Sequence, residues 1–357
     1  VLFATPQISP ELRTRLDELD ELRDALGKQV GRQVPWIGAL RRQVRASSVE
    51  GSTSIEGFSV APGEAVALVG GGELVDPEDE SRMAVACYAR AMDHVGAMAL
   101  DPAFRWLDRV VLDLHFDACS FQRAEQPGRW RSGAVGVTGS DGRLVYKAPD
   151  AAEVPGLMAE VVEWLDKGDA DTHVVVRAAM AHLHVVSVHP FRDGNGRVSR
   201  IVQSLVLARE GLMSPEFGSI EEYLSAHTSD YYDALNEAHG PTYEPERDVF
   251  GWVSFCVDAH LAQARQRLAQ VEDAATRWTR LEKLVGARNW PDRLVIALEQ
   301  ALMGGTDRAS YASEADVSPA TASADFRRLL DAGLVEQSGR GRSVRYRASE
   351  GLRAETP

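Results

Sequence analysis

The twelve residues His189-Pro190-Phe191-Arg192-Asp193-Gly194-Asn195-Gly196-Arg197-Val198-Ser199-Arg200 constrain this chain more than any other stretch. Segments with helical patterning, 172–188 and 198–209, lie on either side. The residues between them read as a loop that delivers the chain to a helix N-terminus. The first N–H groups of a helix have no partner within it and, together with the helix dipole, favour an anion such as phosphate. Gly194 and Gly196 let the backbone approach that anion closely. Arg197 and Arg200 are three apart, share a helix face and can grip successive phosphates. Asp193 is the candidate ligand for a magnesium ion riding on those phosphates. His189 is placed to take a proton from an incoming nucleophile. His182 and His184 precede it at a spacing that fits no zinc pair, so both are expected to be structural or partly exposed.

The chain has 357 residues, enough for two or three domains and an ample core. Its net charge of −14 excludes a protein that coats nucleic acid or an anionic membrane indiscriminately, while leaving room for a locally basic module. Cys87, Cys119 and Cys256 are odd in number and far apart, which points to a reducing cytoplasm and not to a disulfide framework. The sequence has no apolar run long enough to span a bilayer, so no membrane partner is expected.

Most of the chain reads as helix. Apolar residues recur at helical spacing in 10–26, 35–44, 79–100, 108–119, 151–167, 220–239 and 247–274. Between Pro127 and Pro149 the pattern breaks, and Val135, Val137, Leu144 and Tyr146 flank a Gly139-Ser140-Asp141-Gly142 turn, the mark of a β-hairpin. Residues 276–292 read as a connector with a helical first half. Beyond them, helices over 293–302, 307–315 and 318–332, the last with Ser318 as N-cap and Pro319 at N1, lead to strands near Leu334–Gln337 and Ser343–Arg347. Three helices and a hairpin resemble a winged helix-turn-helix domain, with Arg340-Gly341-Arg342 at the wing turn.

The run from His189 to Arg200 resembles the signature of the Fic family, His-x-Phe-x-Asp/Glu-Gly-Asn-Gly-Arg-x-x-Arg, and matches every fixed position. The resemblance implies a mainly α fold: a helical bundle with a β-hairpin flap, here followed by the winged-helix module. The implied organisation is an N-terminal helical region at 1–100, the catalytic domain at 101–275, the connector, and the C-terminal domain at 293–357. The implied chemistry is magnesium-dependent transfer of AMP from ATP to a Ser, Thr or Tyr hydroxyl of a target protein. His189 would be the base and Asp193 would hold magnesium. Asn195, with the amides of Gly194 and Gly196, would cradle the α- and β-phosphates, and Arg197 and Arg200 would pair with the β- and γ-phosphates. Phe191 would anchor the loop. In the family the flap takes the target as an added strand, a role that falls here to Val135, Gly136 and Val137 with the Leu144-Val145-Tyr146 strand. Tyr232 and Leu235 fall where relatives build the adenine pocket, and His239 stands where some carry an asparagine.

A second match lies upstream. Ser52-x-x-x-Glu56-Gly57 fits the inhibitory motif of Fic proteins that regulate themselves. Its carboxylate would pair with Arg200 and deny that arginine to the γ-phosphate. The leading expectation is thus an adenylyltransferase braked in cis. Two other readings remain open: a Fic-fold transferase that uses another nucleotide donor, and a nucleotide-sensing DNA-binding regulator. Arg327, Arg328, Arg340, Arg342, Arg345 and Arg347 would carry a DNA contact, opposed by Asp325 and Asp331, and a protein contact is the other role for that module. A homodimer is compatible with the sequence, which does not fix the oligomeric state.

Overall fold

The computed structural model of the protein describes residues 1–31, 36–61, 63–70, 78–139, 142–210, 215–339 and 344–355. Helices α1 (Pro10–Val30), α2 (Ile37–Ile55), α3 (Glu64–Val69), α4 (Glu80–Leu100) and α5 (Asp108–Cys119) come first. Strands β1 (Gly136–Thr138) and β2 (Leu144–Lys147) follow, then α6 (Val154–Lys167), α7 (Val174–Val188), α8 (Asn195–Arg209), α9 (Pro215–Gly218), α10 (Glu221–Ala226), α11 (Thr228–His239) and α12 (Phe250–Ala287). The chain closes with α13 (Leu294–Leu302), α14 (Arg308–Glu314), α15 (Pro319–Asp331), strands β3 (Val335–Ser338) and β4 (Arg345–Ala348), and α16 (Glu350–Glu355). Among the described residues no helix is long and apolar enough to cross a membrane.

Two compact units divide the chain: Val1–Ala25 with Arg45–Arg265, and Leu26–Val44 with Gln266–Pro357. In the first, α7 is buried all round from Val175 to Val188, and α8 nearly so. Such helices form the centre of a bundle. The apolar stripe of α1 (Leu12, Leu16 and Leu19) joins this same core. Each of those leucines contributes about 1.5–3 kcal/mol by leaving water. The boundary expected at residue 100 therefore falls inside a compact unit, because α1 buries its stripe in the bundle that holds α7 and α8.

Local chemistry sets several helix ends. The Asp79 carboxylate accepts the N–H groups of Ser81 and Arg82 at 3.0 and 3.2 Å and starts α4. Ser318 accepts from the N–H of Thr321 at 3.2 Å, with Pro319 opening α15. The helix expected over 220–239 is instead broken at His227 (φ −124°, ψ 42°). There the Thr228 hydroxyl donates back to the carbonyl of Ser225 at 2.8 Å, the local competition that makes threonine a poor interior helix residue. The connector expected at 276–292 begins as a continuation of α12. Trp278, Leu281 and Val285 extend its buried stripe, and the helix ends just before Asn289, which takes φ 52°, and Pro291.

In the second unit, α13, α14 and α15 precede an antiparallel pair, β3–β4, whose register runs from Val335↔Ala348 to Ser338↔Arg345. The Phe326 ring stacks on Tyr346 with centroids 3.9 Å apart and meets Tyr311 edge-on. Asp325, counted in the sequence as a surface charge, is buried and accepts from Arg293 at 2.7 and 3.0 Å and from the Tyr311 hydroxyl at 2.8 Å. The wing residues Arg340, Gly341 and Arg342 and the hairpin-turn residues Ser140 and Asp141 lie outside the described residues, as does Pro35.

Candidate active site

Helix α7 ends at the histidine. His189 takes a left-handed conformation (φ 51°, ψ 57°), and its N–H donates to the Val185 carbonyl at 3.1 Å. For a residue with a Cβ this conformation costs about 1–2 kcal/mol, and it turns the chain sharply into the loop. The imidazole is half-buried, with Nδ1 3.1 Å from the Val186 carbonyl. A carbonyl only accepts, so Nδ1 carries the proton and Nε2 keeps its lone pair. Burial pushes the imidazole pKa down to about 4. The Val186 hydrogen bond and Glu56 oppose this, while Arg131 and His239 reinforce it. The ring is neutral at pH 7 and able to accept a proton.

The loop is braced from within. The Asn195 side chain accepts from the Phe191 N–H at 2.9 Å and donates to the Phe191 carbonyl at 3.0 Å. Each of its polar ends is thus tied to the loop itself, with one N–H and one lone pair left over. Phe191 is fully buried, stacked on His115 with centroids 3.6 Å apart and near Trp130 at 5.1 Å. His115 accepts the Gly128 N–H on Nδ1 at 2.8 Å and so donates from Nε2 to the Asp193 carbonyl at 3.0 Å. Gly194 then enters α8 with φ 78°. A Cβ there would lie 2.4 Å from the Cys119 sulfur, so glycine is required on both conformational and steric grounds.

The first bond along α8 runs from the Val198 N–H to the Gly194 carbonyl at 3.0 Å, which leaves the N–H groups of Asn195, Gly196 and Arg197 at the open helix end. Arg197 is buried, bonded through Nη2 to Asp193 at 2.9 Å and to Gln122 at 2.8 Å, and flanked by the rings of Phe58 and Phe121. Its Nε and Nη1 are buried without a hydrogen-bond partner among the described residues, as is Nη1 of Arg200. Unsatisfied charged donors in a protein interior cost several kcal/mol unless a ligand meets them.

Arg200 meets the upstream motif. Its Nε donates to the Ser52 hydroxyl at 2.7 Å, and its Nη2 to the Ser52 carbonyl at 3.0 Å and to Glu56 Oε1 at 2.8 Å. Burial works against the arginine's charge, but Glu56, Tyr231 and Tyr88 together outweigh it and raise the pKa. Gly57 closes α2 in a left-handed conformation (φ 86°), with the Phe58 N–H donating to the Thr53 carbonyl at 3.0 Å. That helix stop aims Glu56 at the signature. A Cβ on Gly196 would lie 2.4 Å from Glu56 Oε1. The carboxylate therefore rests against the helix end that suits an anion.

Asp193 keeps one carboxylate oxygen apart from Arg197, and its side chain is 41% exposed. Among the described residues no group of three His, Cys, Asp or Glu side chains forms a metal cage. A single accessible carboxylate fits a magnesium ion that arrives with phosphates, and it does not fit a resident metal.

The hairpin stands over this site. Val137 pairs with Tyr146 and Gly136 with Lys147, while Val135 lies just before β1 and its carbonyl accepts the Ala148 N–H at 3.4 Å. Tyr146 is buried, donates to the Ser187 carbonyl and packs against His239 at 4.1 Å and His189 at 6.4 Å. Lys147, at the end of β2, donates to the Pro241 carbonyl at 2.9 Å. So β2 is fastened at its end to Pro241, and among the described residues no strand pairs with the other edge of β1.

On α11 the expected base-binding pair is split. Tyr231, Leu235 and Ala238 form the core side, whereas Tyr232 is 40% exposed. The core stripe takes Leu235 and leaves Tyr232 on the flank. His239 is buried, and its Nδ1 donates to the Gly240 carbonyl at 2.7 Å. His182 and His184 are structural: both are fully buried, His182 between Gln203 (2.7 Å) and the Tyr231 hydroxyl (3.0 Å), His184 against Phe3 and Trp164. The sequence pattern passed over His115, Gln122 and Arg131, whose Nε donates to the His189 carbonyl at 2.8 Å. Only a buried charge in a non-helical stretch could have hinted at the last.

Residues 106–207 match the model of the Fic/DOC family. The chain is 27% identical over 273 residues to the protein adenylyltransferase Fic of Nematostella vectensis, a match covering 72% of this chain and 58% of that protein. It is 28% identical over 249 residues to the protein adenylyltransferase fic-1 of Caenorhabditis elegans, covering 64% of this chain and 45% of the other. The chain thus spans about half the length of the curated relatives it matches. A Fic family protein from Desulfovibrio desulfuricans G20 has the same fold, with a TM-score of 0.58 at 22% identity over 97% of this chain and 98% of that one. So does a fragment of Fic-1 from C. elegans, with a TM-score of 0.59 at 22% identity, covering 73% of this chain and 72% of the fragment.

Proposed function

We propose that this chain, which carries a Fic/DOC family domain, transfers AMP from ATP to a Ser, Thr or Tyr hydroxyl of a target protein, and that Glu56 holds the transfer in check. The observation that carries the reading is the convergence of unpartnered donors on Arg197 and Arg200 with the open end of α8, where Glu56 now rests. A triphosphate would satisfy those donors. The target hydroxyl oxygen attacks the α-phosphorus, the bond to the bridging oxygen of the β-phosphate breaks, and pyrophosphate leaves. His189 Nε2 takes the hydroxyl proton. The amides of Asn195 and Gly196 and the two arginines stabilise charge on the phosphates. Asp193 would hold magnesium, which neutralises phosphate charge when bound. Tyr232 offers its exposed ring to the base, and the edge of β1 at Val135, Gly136 and Val137 takes the target as an added strand. Three separate free cysteines, all buried, support a reducing cytoplasm.

The deciding experiment incubates a Glu56→Gly variant with ATP labelled at the α- or the γ-phosphate. Protein-bound label from the α-position alone is the expected result. Label from the γ-position would make the protein a phosphotransferase, and label from neither would favour a nucleotide sensor.

For the C-terminal module, which we assign to the winged-helix class, the reading is a DNA contact. Its support is electrostatic: Asp325 is withdrawn into an ion pair with Arg293, while Arg327, Arg328 and Arg347 stay exposed. The full chain should shift a DNA duplex at low salt, with affinity falling steeply as salt rises, and Arg327→Ala with Arg347→Ala should weaken it about tenfold. A duplex that never shifts, even at low salt, would turn the assignment to a protein contact.

A further inference from the structure

One side chain joins the hairpin to the base. Arg131 is 3% exposed and lies in the irregular stretch before β1. Its Nε donates to the His189 carbonyl at 2.8 Å, its Nη1 to the Gly133 carbonyl at 3.0 Å and its Nη2 to the Pro149 carbonyl at 2.6 Å. Its own N–H donates to the Pro190 carbonyl at 2.9 Å. Gly133 leads into β1 and Pro149 follows β2. A guanidinium is planar, with its donors in a fixed fork, so three carbonyls bound to one fork are held in a fixed mutual arrangement. The His189 carbonyl sits at a left-handed turn past the end of α7, where no further helical turn follows to bond it.

We infer that Arg131 is a positioning residue for the general base: it locks the His189 turn to both ends of the hairpin, so that Nε2 and a hydroxyl docked along β1 share one register. The inference rests on the transferase reading. Geometry carries it, and charge gives it a second signature. The groups that act on the His189 imidazole are the Val186 carbonyl, Arg131, Glu56 and His239, with the Tyr146 ring beside it, and Arg131 is one of those holding its proton affinity down. The cradle itself, from Gly194 to Arg200, makes no hydrogen bond to Arg131 among the described residues.

The test uses the full chain in a Glu56→Gly background, with self-modification by α-labelled ATP as the readout. Arg131→Met keeps the bulk but removes the fork and the charge. It should lower kcat about a hundredfold, the scale of an ångström-sized misplacement of a reacting group, with the KM for ATP within about threefold. The acid limb of its residual activity should move to higher pH, because a positive neighbour of the imidazole is gone. Arg131→Lys keeps the charge without the fork, so it should lose about tenfold in kcat with that limb unmoved. A folded Arg131→Met variant with normal ATP affinity and kcat within threefold of background would overturn the inference. If Arg131→Met does not fold, Arg131→Lys decides alone, and an unchanged kcat there overturns it. A Glu56→Gly background that transfers no label at all overturns the transferase reading first, before any Arg131 variant is compared.

Discussion

Replacing His189 with alanine should abolish transfer of label from ATP, by at least about a thousandfold, while ATP binds within about twofold of its native affinity. A general base acts on the proton in flight and contributes little to holding the ground state, so the loss belongs in kcat. The structure sharpens this through Nδ1, whose bond to the Val186 carbonyl leaves Nε2 as the accepting nitrogen. The pH profile gives a second check. A histidine at its ordinary value would put the acid limb near pH 6.5. Burial holds His189 at about 4, and a lowered pKa keeps the ring deprotonated to lower pH. Activity in a Glu56→Gly background, where the opposing Glu56 charge is gone, should therefore stay level from neutral pH down to about 5 and fall only at about 4 or below. Steady-state transfer across that range, together with calorimetric ATP binding, measures both. Undiminished transfer by His189→Ala would remove this residue from the mechanism.

The second large effect runs the other way. Glu56→Gly should raise adenylyl transfer at least tenfold, which asks for about 1.4 kcal/mol of relief at the transition state. The source is the pairing at 2.8 Å with Arg200, whose remaining partners would then be the hydroxyl and carbonyl of Ser52. The variant should also be less stable, by about 1–3 kcal/mol, because a buried guanidinium loses its counterion. Added nucleotide should restore the melting temperature. Arg200→Ala should not copy the gain, since it removes the phosphate partner along with the brake, and the double variant should behave like Arg200→Ala. Equal activity of the wild type and Glu56→Gly, on one target at saturating ATP and magnesium, would sink the autoinhibition while leaving the transferase assignment in place.

Local chemistry made much of this legible. Ser318 announces a helix start because its hydroxyl meets an orphan N–H three residues on, and Pro319 because at the first helical position it brings no N–H that would need a partner. The signature was readable for the same reason: loop, helix end and arginines lie within twelve consecutive positions. Where reading stopped, the partner was distant. Arg131 acts on a carbonyl 58 residues away, and His115 braces one 78 residues away. Asn195 illustrates a different ambiguity. Its type suits a phosphate, but an amide with both a donor and an acceptor also closes a four-residue loop on itself, and only coordinates show that it does. The end of α12 was hidden by Gly286, which punctuates a sequence but sits harmlessly in the last turn of a helix whose stripe of Trp278, Leu281 and Val285 is buried.

The way α2 ends has a consequence for how such a protein would be switched. On the proposed reading, Glu56 is a ligand for its own anion seat, tethered not by a loose linker but by a helix stopped at Gly57. Loosely tethered groups already compete at millimolar effective concentration, and a rigid mount in register acts at far more. Nucleotide dissolved at ordinary cellular levels would then be outcompeted at the tail end of its site. On this view the resting protein is indifferent to energy charge. On that reading an effective signal would be mechanical: something that bends or lifts the last turn of α2 and so dilutes an internal inhibitor.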